Sequence, residues 1–331
     1  MKKLVNNPEL VVSEMLEGFV LAHSNLVKLV PSTSVIVRND APVFNKVGLV
    51  SGGGSGHEPS HAGFVGKGML DGAVAGEVFT SPTPDQVFEA IKAVDSGKGV
   101  LLIIKNYTGD VMNFEMAAEL AEADGISVAK VIVNDDVAVE NSTYTTGRRG
   151  IAGTVFVHKI AGALAEQGGS LQEVEAVANK VIKRVKSMGV ALTPCTIPAA
   201  GKPGFSIGET EMEVGMGIHG EPGISRSEIM SADEIAGLLT EKILVDLQLS
   251  DGSKVAVMIN GLGATPLMEL YIIYKKVAEM LKEKNITIHE SFVGEYMTSL
   301  EMAGCSVSIL ELDDQLMELL GVEAKTAAFQ K

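Results

Sequence analysis

Apolar side chains at Leu10, Val11, Met15, Phe19 and Val20 recur about once per helical turn, four to five residues apart. That spacing predicts an amphipathic helix over residues 8–22, with Pro8 in its first turn. The pattern then changes to short β-branched runs, which predict strands over 34–38 and 46–51. Residues 99–105 and 126–133 are largely apolar, as in strands buried on both faces. Helical spacing returns over 84–94 and 111–123. Residues 147–188 read as two helices parted by Gly168 and Gly169, the second running 171–188 with charges on one side. A Pro/Gly-rich passage, 194–208, carries no helical period. Alternation resumes with a strand over 254–260, a helix over 266–282, strands over 286–293 and 305–312, and a closing helix over 313–320. This order predicts an α/β fold of two layered domains, their sheets mixed or mostly parallel and flanked by helices. The boundary is expected near residue 190, giving domains 1–189 and 190–331.

Composition narrows the class. The 331 residues are about twice a typical domain. With 36 glycines, 11 prolines and 46% hydrophobic residues, the chain can fill a sizeable core and is unlike a disordered one. A formal charge of −15 argues against a general nucleic-acid binder, which needs a basic field. No apolar run approaches the roughly 20 residues of a membrane-spanning helix. Lys2 and Lys3 are followed by Asn6, Asn7 and Pro8 before any signal-peptide core develops, so a cytoplasmic protein is expected. Cys195 and Cys305 stand far apart, which excludes a disulfide scaffold and a cysteine-type zinc site. The 15 methionines are expected to fill the core.

Three segments carry chemistry. In the first, a strand runs into Gly52-Gly53-Gly54-Ser55-Gly56-His57. Glycines there let backbone approach a ligand closely, and open α/β sheets bind ligands beyond strand carboxyl ends. A tight turn without a ligand is the plain alternative. Three phosphate or acyl-transfer templates fail. A P-loop needs Lys-Ser or Lys-Thr where His57 and Glu58 stand; the nucleophile elbow and the dinucleotide fingerprint each need glycine at position 57. His57-Glu58-Pro59-Ser60-His61 does match H-E-x-x-H, but a zinc site needs both histidines inside one regular helix. A glycine loop precedes His57, and Pro59 suits a first helical turn, which leaves His57 at or before the helix start.

The second segment, 104–110, ends a strand in Lys105 and places Asp110 where a helix should begin. Aspartate is a favoured N-cap; it is also a plausible general base if parallel strand ends bring it to His57 and the Lys105 ammonium. The third, 213–223, sets His219 among Gly217, Gly220 and Gly223, with an exposed ring expected. Imidazole can attack a carbonyl or act as a base; an ordinary turn histidine is the alternative. His23, His158 and His289 read as structural or surface residues, and Asn134-Asp135-Asp136 as a strand-end turn. Residues 144–150, with Arg148 and Arg149, offer a local partner or anion contact, or simply a helix start.

Taken together, residues 51–61, 105–113, 134–139, 144–158, 188–202, 216–223 and 260–271 closely resemble the dihydroxyacetone kinase K subunit, over essentially the whole chain. The resemblance implies that His219 binds dihydroxyacetone covalently, its imidazole adding to the C2 carbonyl to give a hemiaminal. His57 and Asp110 would be the acid/base pair, with Asp110 accepting the proton of the attacking hydroxyl. Gly54, Ser55, Gly56 and Lys105 would hold the substrate hydroxyls. It also implies that this chain binds no metal or cofactor itself. Mg-ATP or Mg-ADP would sit on a separate L subunit, recharged through a phosphotransferase-system phosphocarrier, and the K subunit would be a homodimer. A chain ending at Lys331 is expected to hold only the K portion. Arg148 and Arg149 are then candidates for partner docking. Some relatives of this type act instead as ligand-sensing coactivators of a transcription regulator, which need His219 but not the acid/base pair.

Overall fold

The computed structural model describes residues 2–140 and 145–331. Its first half contains α1 (Val11–Ala22), β1 (Val27–Leu29), β2 (Val35–Arg38), β3 (Gly48–Ser55), β4 (Gly66–Lys67), β5 (Gly72–Val78), α2 (Pro84–Val94), β6 (Val100–Lys105), α3 (Thr108–Ala123) and β7 (Val128–Val133). Next come α4 (Thr154–Glu166), α5 (Leu171–Arg184), β8 (Val185–Ala191), β9 (Glu211–Val214), β10 (Ser225–Glu228) and α6 (Ala232–Leu247). The chain closes with β11 (Lys254–Gly261), α7 (Leu267–Glu283), β12 (Thr287–Gly294), β13 (Gly304–Leu312), α8 (Asp314–Gly321) and β14 (Lys325–Thr326).

Two six-stranded mixed sheets result, ordered β1-β2-β5-β3-β6-β7 and β10-β9-β8-β13-β11-β12. In the first, β5, β3, β6 and β7 run parallel; in the second only β11 and β12 do. The period of two along a strand sorts side chains between layers. Val100, Leu102 and Ile104 face one way, into a core with Val87, Ile91 and Phe114 of α2 and α3. Leu101 and Ile103 face the other way, into a core with Val155 and Ile160 of α4 and Val177 and Val181 of α5, which Met258 and Leu310 of the second sheet also enter. Val255, Val257 and Ile259 turn outward onto Leu239 of α6 and Val277 of α7. The molecule is therefore five layers, helix–sheet–helix–sheet–helix, with α4 and α5 shared by both sheets. The division near residue 190 lies within β8.

The α/β class holds, while one expected helix ends early. The helix expected over 171–188 stops at Arg184, and β8 begins at Val185. The register of β8 against β13 buries Met188 and Val190 while Lys186 stays half-buried, so strand pairing overrides a charge pattern that extends the helix. Methionine is also less uniformly internal than expected: Met112, Met116 and Met268 are exposed.

What this fold does for a ligand follows from strand order. From β3 the chain goes to β5 on one side and then to β6 on the other. The carboxyl ends of β3 and β6 thus flank a crevice at a topological switch point, where open α/β sheets bind ligands.

Candidate functional site

The crevice is a cavity of about 530 Å³ lined by Gly54, Phe79, Ser81, Tyr107, Thr108, Gly109, Asp110, Ile197, His219 and Glu221. Gly54, one residue before the end of β3, lies against the backbone of Phe79 and Thr80; a Cβ there would lie 2.6 Å from Thr80 N and 2.7 Å from Phe79 Cα. Neither can move aside, so this wall requires glycine. Gly53 is constrained similarly, because a Cβ would overlap Lys105 Nζ. Gly56 and Ser55 serve the loop itself. The Gly56 N–H donates to the Glu58 carboxylate at 3.0 Å, and Ser55 Oγ donates to Gly76 O at 2.7 Å.

Asp110 sits in the first turn of α3, buried, with Tyr107 as the N-cap residue rather than Asp110 itself. Its Oδ2 lies 3.6 Å from Lys105 Nζ. Lys105 has no exposed surface, and its ammonium also donates to Gly52 O at 3.2 Å and to His61 Nε2 at 3.0 Å. Burial pulls the Lys105 pKa down, against the opposing pull of Asp110. Lys105 therefore lies beneath the glycine strand, engaged with Asp110, and outside the cavity lining.

His219 enters from the second sheet, on the turn after β9. It is not open to solvent as its glycine neighbours imply. Its side chain is 17% exposed and packed edge-on against Tyr107, His57 and Phe79, at ring centroid distances of 4.5, 4.7 and 5.4 Å. Nδ1–H donates to Glu221 Oε1 at 2.8 Å, while the backbone N–H of His219 donates to Glu221 Oε2 at 2.9 Å. One carboxylate thereby fixes both the ring orientation and the tautomer and leaves Nε2 with its lone pair. Burial alone would raise the Glu221 pKa. When the His219 ring carries a second proton its charge, together with its hydrogen bond and with Arg149 nearby, holds that pKa down at about 2.

His57 is fully buried and stacks on Phe79 at 5.0 Å. Its Nδ1–H donates to Thr298 O at 2.7 Å, and Nε2 has no partner among the described residues. Burial, then the neighbouring His219 and Lys105, push its pKa well below 6.5, so the ring is neutral and Nε2 is a free acceptor. The segment 57–61 is a series of turns, followed by a 3-10 turn at Ala62–Phe64, not the expected helix start. The two histidines of H-E-x-x-H part company: His57 faces His219, and His61 faces Lys105 and His158.

The structure thus brings Gly54, Asp110 and His219 to one cavity, with His57 against His219 and Lys105 against Asp110. Glu221, Tyr107 and Phe79 complete it and were not singled out in the sequence. Glu221 had a signal, since a carboxylate two residues from a loop histidine can bond it locally. Tyr107, whose buried hydroxyl has no partner among the described residues, had none beyond lying two residues from Lys105.

Arg148 and Arg149 are not the free docking pair expected of them. Arg148 makes a two-pronged bond to Asp246 of α6, at 2.7 and 2.8 Å. Arg149 is fully buried, paired with Asp136 Oδ2 at 2.6 Å and donating to Gly215 O at 2.7 Å. A buried guanidinium needs such partners, and these pin the His219 turn to the first half of the chain. Asp135 accepts from Ile151 N and Gly153 N, which makes the Asp135–Asp136 turn an anchor for the start of α4. Tyr144, first of that basic segment, lies outside the described residues.

The Dak1 domain family matches residues 17–328. The chain belongs to the Dak1 family. This Dak1 chain is 57% identical over 330 residues to the PTS-dependent dihydroxyacetone kinase 1, dihydroxyacetone-binding subunit DhaK, of Listeria innocua serovar 6a, covering 99% of this chain and 100% of that one. It is 45% identical over 352 residues to the PEP-dependent dihydroxyacetone kinase, dihydroxyacetone-binding subunit DhaK, of Escherichia coli (strain K12), covering 99% of each. Among solved structures, the dihydroxyacetone kinase from C. freundii in complex with AMP-PNP and Mg2+ is similar, with a TM-score of 0.91 at 38% identity; the match covers 99% of this Dak1 chain and 61% of that one. The dihydroxyacetone kinase operon co-activator Dha-DhaQ matches at a TM-score of 0.89 and 36% identity, over 96% and 97% of the two chains. No helix among the described residues is long and apolar enough to cross a membrane.

Proposed function

We propose that this chain is the dihydroxyacetone-binding subunit of a phosphoenolpyruvate-dependent dihydroxyacetone kinase. It captures the ketone on His219 and presents a hydroxyl to a nucleotide-bearing partner subunit. The observation that carries the reading is His219 at the cavity, its Nδ1 held by Glu221 so that Nε2 is the reactive end, with its ring edge-on to that of His57, whose Nε2 has no partner among the described residues. Dihydroxyacetone offers one electrophile, C2. Attack by His219 Nε2 forms the N–C bond and turns the carbonyl into an oxyanion, which takes up one proton while Nδ1 releases one. Glu221 is placed to take the Nδ1 proton and release it to solvent, and His57 Nε2 to take a proton from water and pass it to the C2 oxygen, so that one proton leaves and one enters. Covalent capture holds a ligand too small to bury much area, and a polyol without a carbonyl cannot enter it. Asp110, beside the Lys105 ammonium, then accepts the proton of the hydroxyl that attacks phosphorus. The phosphoryl group and its charge-stabilising magnesium come on the partner.

Intact-protein mass measurement with dihydroxyacetone tests the capture. An adduct is expected on the wild-type protein and none on His219→Ala; an unchanged adduct on that variant sinks the covalent role. The likeness to an operon co-activator favours a second reading, in which capture is the whole function. Adding a nucleotide-charged partner subunit separates the two, since only the kinase reading yields dihydroxyacetone phosphate. Asp110 at the cavity, with the Lys105 ammonium buried behind it, supports that outcome, because capture alone does not call for a base there.

A further inference from the structure

Behind the glycine strand lies a second histidine pair that no step above uses. His61 and His158 are both buried, with His61 Nδ1 3.0 Å from His158 Nε2 and His61 Nε2 3.0 Å from Lys105 Nζ. Bond directions follow from the chemistry of the groups. Ammonium only donates, so His61 Nε2 accepts and its Nδ1 carries the hydrogen that goes to His158 Nε2. His61 is flanked by Ser51, whose Oγ donates to Ile103 O at 2.7 Å and lies 3.4 Å from His61 Nδ1. The Lys105 ammonium has three hydrogens: one is taken by Gly52 O, one by His61, and the third is left toward Asp110 Oδ2.

We propose that His61 is a positioning residue for phosphoryl transfer. By accepting one Lys105 hydrogen it aims the ammonium at Asp110 and keeps it from the space behind the strand. That space is real: a cavity of about 400 Å³, lined by His61, Glu58, Phe19 and His23, adjoins the rear of Gly53, Gly54 and Ser55. Without the acceptor, Lys105 has somewhere else to go, and a displacement on the order of 1 Å at a reacting group costs about 100-fold in rate. The inference rests on the kinase reading above and adds to it a residue that touches neither substrate nor nucleotide.

Two polar substitutions separate aim from packing. In His61→Gln the side-chain oxygen falls near the place of Nε2 and still accepts from Lys105. In His61→Asn the shorter amide falls near Nδ1, keeping the His158 contact and losing Lys105. Both variants are assayed for turnover with the charged partner subunit and for the dihydroxyacetone adduct by intact mass. Expected is an adduct on both, kcat within a few-fold of wild type for His61→Gln, and kcat lower by about 100-fold with unchanged KM for His61→Asn. Equal rates in the two variants, or the reverse order, overturn the proposal, as does loss of the adduct in His61→Asn. If the wild-type protein itself yields no product with a competent partner, the kinase reading fails and this role falls with it. Wild-type turnover with an unimpaired His61→Asn refutes the role of His61 alone.

Discussion

Two pairs of histidines stand on either side of one glycine strand, alike in shape and opposite in state. His57 and His219 meet edge-on at 4.7 Å and 77°; His61 and His158 meet at 5.3 Å and 67°. In the first pair each Nδ1–H is anchored outside the pair, on Thr298 O and on Glu221, which leaves the lone pair on each Nε2; that of His57 has no partner among the described residues. In the second pair the rings bond each other and Lys105, leaving only His158 Nδ1, which is buried. Reactivity here is decided by what the far nitrogen of each ring is bonded to. An imidazole anchored through its N–H keeps a lone pair as nucleophile or base at the other nitrogen; in the second pair both lone pairs are taken, that of His61 by Lys105 and that of His158 by the His61 Nδ1–H.

The comparison is broken most severely on the cavity side. Asp110→Asn keeps the shape of the side chain and removes its basicity. Capture on His219 should persist, while turnover with the charged partner falls by roughly 10²- to 10⁴-fold, the usual contribution of a general base. Single-turnover assays check this, and normal turnover would assign the proton to another group. The same substitution leaves the His61–His158 bond untouched.

A smaller effect is expected where the reactive ring is anchored. Glu221→Gln still offers an oxygen to His219 Nδ1–H but loses the charge, and charge-assisted bonds are about twice as strong as neutral ones. Adduct affinity should drop about tenfold, read by titrating dihydroxyacetone against intact mass. An undiminished affinity would mean that orientation alone matters at Nδ1. Because the Glu221 pKa is lowered from 4.5 to about 2, its contribution to stability is complete above pH 4.5 and lost as pH falls toward 2.

Most of this site was legible because local chemistry carried it. Gly52, Gly53, Gly54 and Gly56 with His57, the strand end at Lys105 with Asp110, and the loop around His219 each announce an exposed backbone beside a reactive side chain, and parallel β3 and β6 bring the first two together. The resemblance supplied the covalent role of His219, which spacing left open. Features that depend on long-range packing were hidden. Gly72-Ala73-Val74-Ala75-Gly76 of β5 lacks the bulky β-branched run of a strand and is one because it lies between β2 and β3. Arg149 reads as surface charge until Asp136 and Gly215 O are folded around it. His61 and His158 are 97 residues apart, so nothing local marks them as a pair.

The scaffold pair has its own signature, a dependence of stability on pH. Burial, then the Lys105 ammonium, lowers the His158 pKa from 6.5 to about 3, and His61 is pushed down by the same two causes. The unfolded chain therefore binds a proton at each ring below about pH 6.5 that the folded protein refuses. Stability from His158 is complete above pH 6.5 and declines as pH falls toward 3, by about 1.4 kcal/mol per unit, or roughly 2 kcal/mol by pH 5. In His158→Gln the amide oxygen falls near Nε2, keeps the hydrogen bond from His61 and cannot titrate. Denaturant unfolding at pH 7 should give nearly equal stabilities for the two proteins. Between pH 6.5 and 4.5 the variant should lose less, its curve shallower by one proton. Glu221 does not blur the measurement, because its titration begins only below that window. Parallel curves would mean that His158 takes up its proton in the folded state at ordinary pH. The second pair would then titrate freely, and the contrast between a reactive and a locked pair would fail on that side.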